Sequence, residues 1–62
     1  MKLTKLVGCD EGECPAVYLT DRGTYAFQGT YVTDHGRDVP AHERIVELPI
    51  DLIRKAINDG LL

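Results

Sequence analysis

The sequence predicts an α+β domain, a small antiparallel sheet of three to four strands with one C-terminal helix packed on one face. Three observations predict it. Two β-branched and aromatic runs flank the turn triplet Asp21-Arg22-Gly23, and the segment from Pro49 to Asp59 is amphipathic at helical spacing. The third is length, because 62 residues hold one core and no second one, so residues 1–62 form a single small domain.

Leu3 to Val7 reads as a first strand, interrupted in its apolar pattern by Lys5. The compact acidic loop Cys9 to Pro15 follows. Ala16-Val17-Tyr18-Leu19-Thr20 and Thr24-Tyr25-Ala26-Phe27-Gln28 are the arms of a β-hairpin, in which Asp21 opens a type I turn and Gly23 supplies the left-handed residue of a three-residue loop. Gly29 marks a bend before Thr30-Tyr31-Val32-Thr33, and Arg44 to Leu48 is a further strand. Pro49 then starts the helix, Asp51 complements its dipole, and Gly60 stands where a left-handed cap belongs, with Leu61 beyond it for the accompanying apolar contact.

Alternation along the strands puts Val17, Leu19, Tyr25 and Phe27 on one face. The apolar stripe of the helix, Ile50, Ile53 and Ile57 flanked by Leu52 and Ala56, is expected to pack on that face. Tyr18, Thr20, Ala26, Gln28 and Thr30 then point to the other, which one helix cannot also cover.

Composition narrows the function. The net charge of −3 and scattered basic residues give no phosphate-binding surface, so no direct nucleic-acid contact is expected. No apolar run approaches a membrane span, and although Leu6-Val7-Gly8-Cys9 has the form of a lipoprotein box, the apolar stretch before it is too short for a secretory signal. A cytoplasmic location follows. The chain contains no Ser and no Trp, which removes serine-nucleophile chemistry, and nothing around Cys9, Cys14, His35 or His42 has the form of an activated thiolate. The expectation is a protein that is not an enzyme.

Cys9 and Cys14, with four residues between them, could bind zinc together with His35 and His42, could close a disulfide, or could stay reduced as small apolar side chains. A zinc-stabilised domain is therefore the alternative to an interaction module, and zinc the one cofactor to consider. Asp10, Glu11 and Glu13 lack the alternating oxygen ligands of a calcium loop and suit either solvent or a basic protein surface. With Tyr18 as anchor and Gln28 beside it, they form the candidate partner-binding surface, for another protein or a second copy of the chain.

The run Cys9-Asp10-Glu11-Gly12-Glu13-Cys14-Pro15-Ala16-Val17-Tyr18-Leu19-Thr20-Asp21-Arg22-Gly23-Thr24, with Gln28-Gly29 after it, resembles short uncharacterised actinobacterial proteins associated with helix-turn-helix regulators. That resemblance implies an accessory role beside a transcription regulator and brings no functional residues with it. Arg44 to Arg54 is in turn similar to the strand, Pro and helix step of swapped-hairpin regulators and antitoxins, which implies a third reading as a DNA-binding regulator. Those folds add strands after the helix, where this sequence ends at Leu62, and the net charge has the wrong sign for DNA.

Overall fold

The computed structural model describes residues 1–9 and 12–62. In chain order it comprises β1 (Leu3–Val7), β2 (Ala16–Thr20), β3 (Tyr25–Gln28), β4 (Thr30–Tyr31), β5 (Val46–Glu47) and α1 (Ile50–Asn58). β1, β2 and β3 form an antiparallel sheet in that order, and β4 and β5 form a separate two-stranded antiparallel ribbon. The fold is the expected α+β one, with its strands divided between two sheets. Gly29 is the point of division: a Cβ there would collide with the Glu47 carbonyl oxygen, so only glycine lets the arm turn off β3 and meet β5 at backbone distance.

The hairpin is built by local chemistry. Gly23 takes φ 75°, its N–H donates to the Thr20 carbonyl at 3.4 Å, and Thr20 N–H donates to the Thr24 carbonyl at 2.9 Å, which is a type I turn followed by a left-handed residue. The side chain that organises the turn is Thr20, whose Oγ1 accepts from the backbone N–H of Arg22 at 3.1 Å. Asp21 instead ties the turn to the first strand: its Oδ2 accepts from Lys2 N–H at 3.1 Å and its own N–H donates to the Lys2 carbonyl at 3.1 Å.

The helix begins one residue later than expected, with Pro49 as an N-cap that lacks a side-chain bond. Its other end follows the sequence closely. Leu61 N–H donates to the Ala56 carbonyl at 2.8 Å and Gly60 N–H to the Ile57 carbonyl at 3.0 Å, with Gly60 at φ 74°, which is the paired-bond Schellman cap.

The core corrects the expected helix face. Val7, Val17 and Ala56 are its buried centre, and Leu6, Leu48, Leu52, Ile53 and Leu61 pack against them. Ile50 and Ile57 point to solvent, 67% and 56% exposed. The stripe is therefore centred on Leu52 and Ala56, an i, i+4 pair, because the small Ala56 lets the helix come close to the sheet. α1 packs toward β1, which leaves the β3 side of the same sheet face thinly covered: Leu19, Tyr25 and Phe27 are 43%, 47% and 48% exposed.

Candidate interaction surface

Cys9 and Cys14 are joined in a disulfide with their Cα atoms 5.7 Å apart. The loop they close is held to the sheet by Gln28, whose Nε2 donates to the carbonyls of Gly12 at 2.8 Å and Cys14 at 3.2 Å. Gln28 Oε1 in turn accepts from the Tyr18 hydroxyl at 2.7 Å. Strand register explains the arrangement: Ala16 opposes Gln28 and Tyr18 opposes Ala26, so Tyr18 and Gln28 share the face turned away from the helix. Gly8 closes the same side, close enough to Ala16 that a Cβ on it would lie 2.7 Å from the Ala16 Cβ.

The face expected to lie open is thus partly covered, at its Ala16 and Gln28 end, by the chain's own loop. Thr20 and Ala16 are buried, and Tyr18, Ala26 and Gln28 are half-buried. Of the residues singled out from sequence, Glu13, Cys14 and Gln28 meet around a shallow cleft of about 100 Å³ that Thr30 completes, and Tyr18 joins them through Gln28. Asp10 and Glu11 lie outside the described residues. Glu13 is exposed.

The two histidines lie elsewhere. His35 lines a hollow of about 220 Å³ with Val32, Val39, Glu43 and Arg44, and its Nδ1 accepts from the backbone N–H of Arg37 at 3.0 Å. His42 is exposed, with Nε2 3.7 Å from a carboxylate oxygen of Glu43. Among the described residues, no three His, Cys, Asp or Glu side chains come together at metal-holding distance. Among the described residues, no helix is long and apolar enough to cross a membrane.

Sequence reasoning did not single out Leu19, Tyr25 and Phe27 as a surface. Leu19 opposes Tyr25 across the β2–β3 ladder, Phe27 opposes Val17, and the three form one apolar patch on the helix side. At its rim the Tyr25 hydroxyl reaches the Leu61 carbonyl at 3.5 Å. The available signal was the match of Tyr25 and Phe27 in strand parity, which marks a face without telling whether a helix will cover it.

The surface is large for the chain. A compact monomer of 6.9 kDa exposes about 4,000 Å², against 5025 Å² here. The radius of gyration is 12.6 Å, against about 10.6 Å for a compact chain of this length. No family model, no curated protein and no solved structure matches the chain.

Proposed function

We propose that this protein is a non-catalytic protein-interaction module, and that the half-covered patch of Leu19, Tyr25 and Phe27 is its binding surface. The observation that carries the reading is the uncovered apolar face. Among the described residues the apolar ones that are buried are Val7, Ala16, Val17 and Ala56, while two aromatic rings and a leucine stay about half exposed on one ordered strand pair. An apolar patch held together on one ordered face of a small domain favours a contact surface. Glu13, exposed beside the Gln28 cleft, adds negative charge that favours a basic rim on a partner.

Tyr18 and Gln28 act in this reading as the fasteners of the disulfide loop, so they shape the surface from behind. A role beside a transcription regulator rests on the resemblance of the Cys9 to Thr24 run. The cytoplasmic placement belongs to the proposal as well, and the Cys9–Cys14 disulfide pulls against it, because glutathione keeps most cytosolic thiols reduced. Alkylation of the thiols at the moment of lysis decides that point.

The test of the module is affinity capture from an extract of the source organism with wild-type protein and with Phe27→Asp, checked to be folded by circular dichroism. Wild type should retain at least one defined species, its own chain or another protein, that Phe27→Asp loses at least tenfold. Identical retained sets would refute the reading.

A further inference from the structure

We infer that the occupant of this surface is a second copy of the same chain, joined by antiparallel pairing of β3 with the partner's β3 about a two-fold axis. The inference rests on the interaction reading and names its partner. It starts from the two edges of the sheet. β1 is a blunted edge: it carries Lys5, and its register with β2 breaks between Lys5 and Val7. β3, the opposite edge, is Tyr25-Ala26-Phe27-Gln28, with no charge, no proline and no irregularity in its ladder with β2. Natural sheets protect an open edge by one of those devices or by covering it. Here the devices are on β1 alone.

Backbone parity says which groups the β3 edge presents. Thr20 donates to Thr24, and hydrogen-bonded pairs alternate along an antiparallel ladder, so Tyr18 with Ala26 and Ala16 with Gln28 are the bonded pairs. Tyr25 and Phe27 therefore turn their N–H and C=O groups outward. These are also the two half-exposed aromatics. A two-fold axis centred on Ala26 sets Tyr25 against the partner's Phe27 and Phe27 against the partner's Tyr25, with bonded backbones and both rings of each pair on the same sheet face. The strand is self-complementary in hydrogen bonding, charge and side-chain size, as an isologous contact requires.

The area agrees. The excess of about 1,000 Å² over a compact monomer is close to the roughly 800 Å² that each partner contributes to a stable protein interface. In the six-stranded sheet the four aromatic rings and two copies of Leu19 lie side by side on one face, and pairing at the β3 edge covers part of that excess.

Sedimentation equilibrium of the full chain from about 1 to 200 μM should give twice the 6.9 kDa chain mass at the upper end. Phe27→Asp and Tyr25→Lys should each halve that mass, whereas Ile50→Lys, on the exposed first turn of the helix and outside the β3 edge, should leave it unchanged. Because either β3 variant could unfold, Ala26→Cys supplies a second readout: the axis brings the two copies of residue 26 together, within the Cα separation a disulfide spans. Air oxidation should convert Ala26→Cys to a covalent dimer and leave Asp21→Cys monomeric.

A monomeric wild type at all concentrations, or a dimer untouched by Tyr25→Lys and not cross-linked at residue 26, overturns the inference. If the wild type is monomeric yet captures another protein in a Phe27-dependent way, the second-copy inference falls and the interaction reading stands. If it is monomeric and captures nothing, both fall.

Discussion

Val17→Ala should be among the most damaging conservative substitutions in this chain, and Ile50→Ala close to harmless. Val17 is wholly buried, between Val7 on β1 and Phe27 on β3, and in the same cluster as Ala56 of the helix. Removing its two methyl groups loses about 1.6 kcal/mol of transfer free energy at about 0.8 per carbon, and the cavity left behind adds on the order of 1 kcal/mol. The total is about 2–3 kcal/mol. A 62-residue domain has about 3–9 kcal/mol in all, so about a quarter or more of its stability goes. At about 4–8 °C per kcal/mol for domains of this size, the melting temperature should fall by about 10–20 °C. Ile50 is a larger side chain but 67% exposed, so its truncation should cost less than about 1 kcal/mol, partly offset by the better helix propensity of alanine. Thermal and urea unfolding of both variants at equal concentration measure this. Equal losses, or the reverse order, would show that the helix lies on the sheet by the Ile50 side of its stripe and would refute the core as described.

Three further outcomes follow from the loop and the bend. Reducing the Cys9–Cys14 bond should cost about 2 kcal/mol on the chain-entropy account of so short a loop, seen as a drop in melting temperature with dithiothreitol, while a chelator leaves the oxidised protein unchanged. Recovery of the reduced protein on adding zinc would instead support a zinc-stabilised domain. Gln28→Leu removes the bonds to Gly12, Cys14 and Tyr18, so it should cost about 1–2 kcal/mol and speed reduction of the disulfide severalfold; an unchanged rate would separate the loop from Gln28. Gly29→Ala forces the Glu47 carbonyl away and should abolish slow amide exchange at Val32, which donates to Ile45 in the ribbon, before it disturbs the β1–β3 sheet.

The parts of the fold that were legible in sequence are those decided within a few residues. Asp21-Arg22-Gly23 forms its turn through the left-handed Gly23, and Gly60 and Leu61 cap the helix as their positions imply. The choice of buried residues was not local. Ile50, Ile53 and Ile57 are the most hydrophobic members of the helical stripe, yet the inward direction is set by how near the helix axis comes to β1, and the smallest member, Ala56, allows the closest approach. Two cysteines at that spacing leave reduced thiols, a zinc pair and a disulfide open, and the fold, with their Cα atoms 5.7 Å apart, selects the disulfide. Tyr18 and Gln28 were placed on the correct face by parity, but their engagement with the loop depends on the path of the chain through Gly12 to Cys14.

The misplaced stripe and the exposed aromatics have one physical origin. A helix of nine residues is about 14 Å long and about 10 Å wide with its side chains, whereas three strands at about 4.8 Å spacing present a face about 14 Å wide, with Tyr25 and Phe27 on its β3 side. A helix seated on β1 and β2 cannot also cover β3. If a second copy covers it, part of the folding free energy is intermolecular, and stability must then depend on concentration. In a dimer whose folding and association are coupled, each tenfold increase in chain concentration adds about 0.7 kcal/mol per chain, half of the 1.4 kcal/mol that a tenfold change in an equilibrium constant represents. At about 4–8 °C per kcal/mol, the melting temperature should rise by about 3–6 °C from 10 to 100 μM, and Tyr25→Lys should remove the dependence while lowering the value at the higher concentration. A melting temperature that stays level over that range would mean that the monomer carries its exposed β3 face without support from a copy of itself, and that the excess surface is held for a different protein.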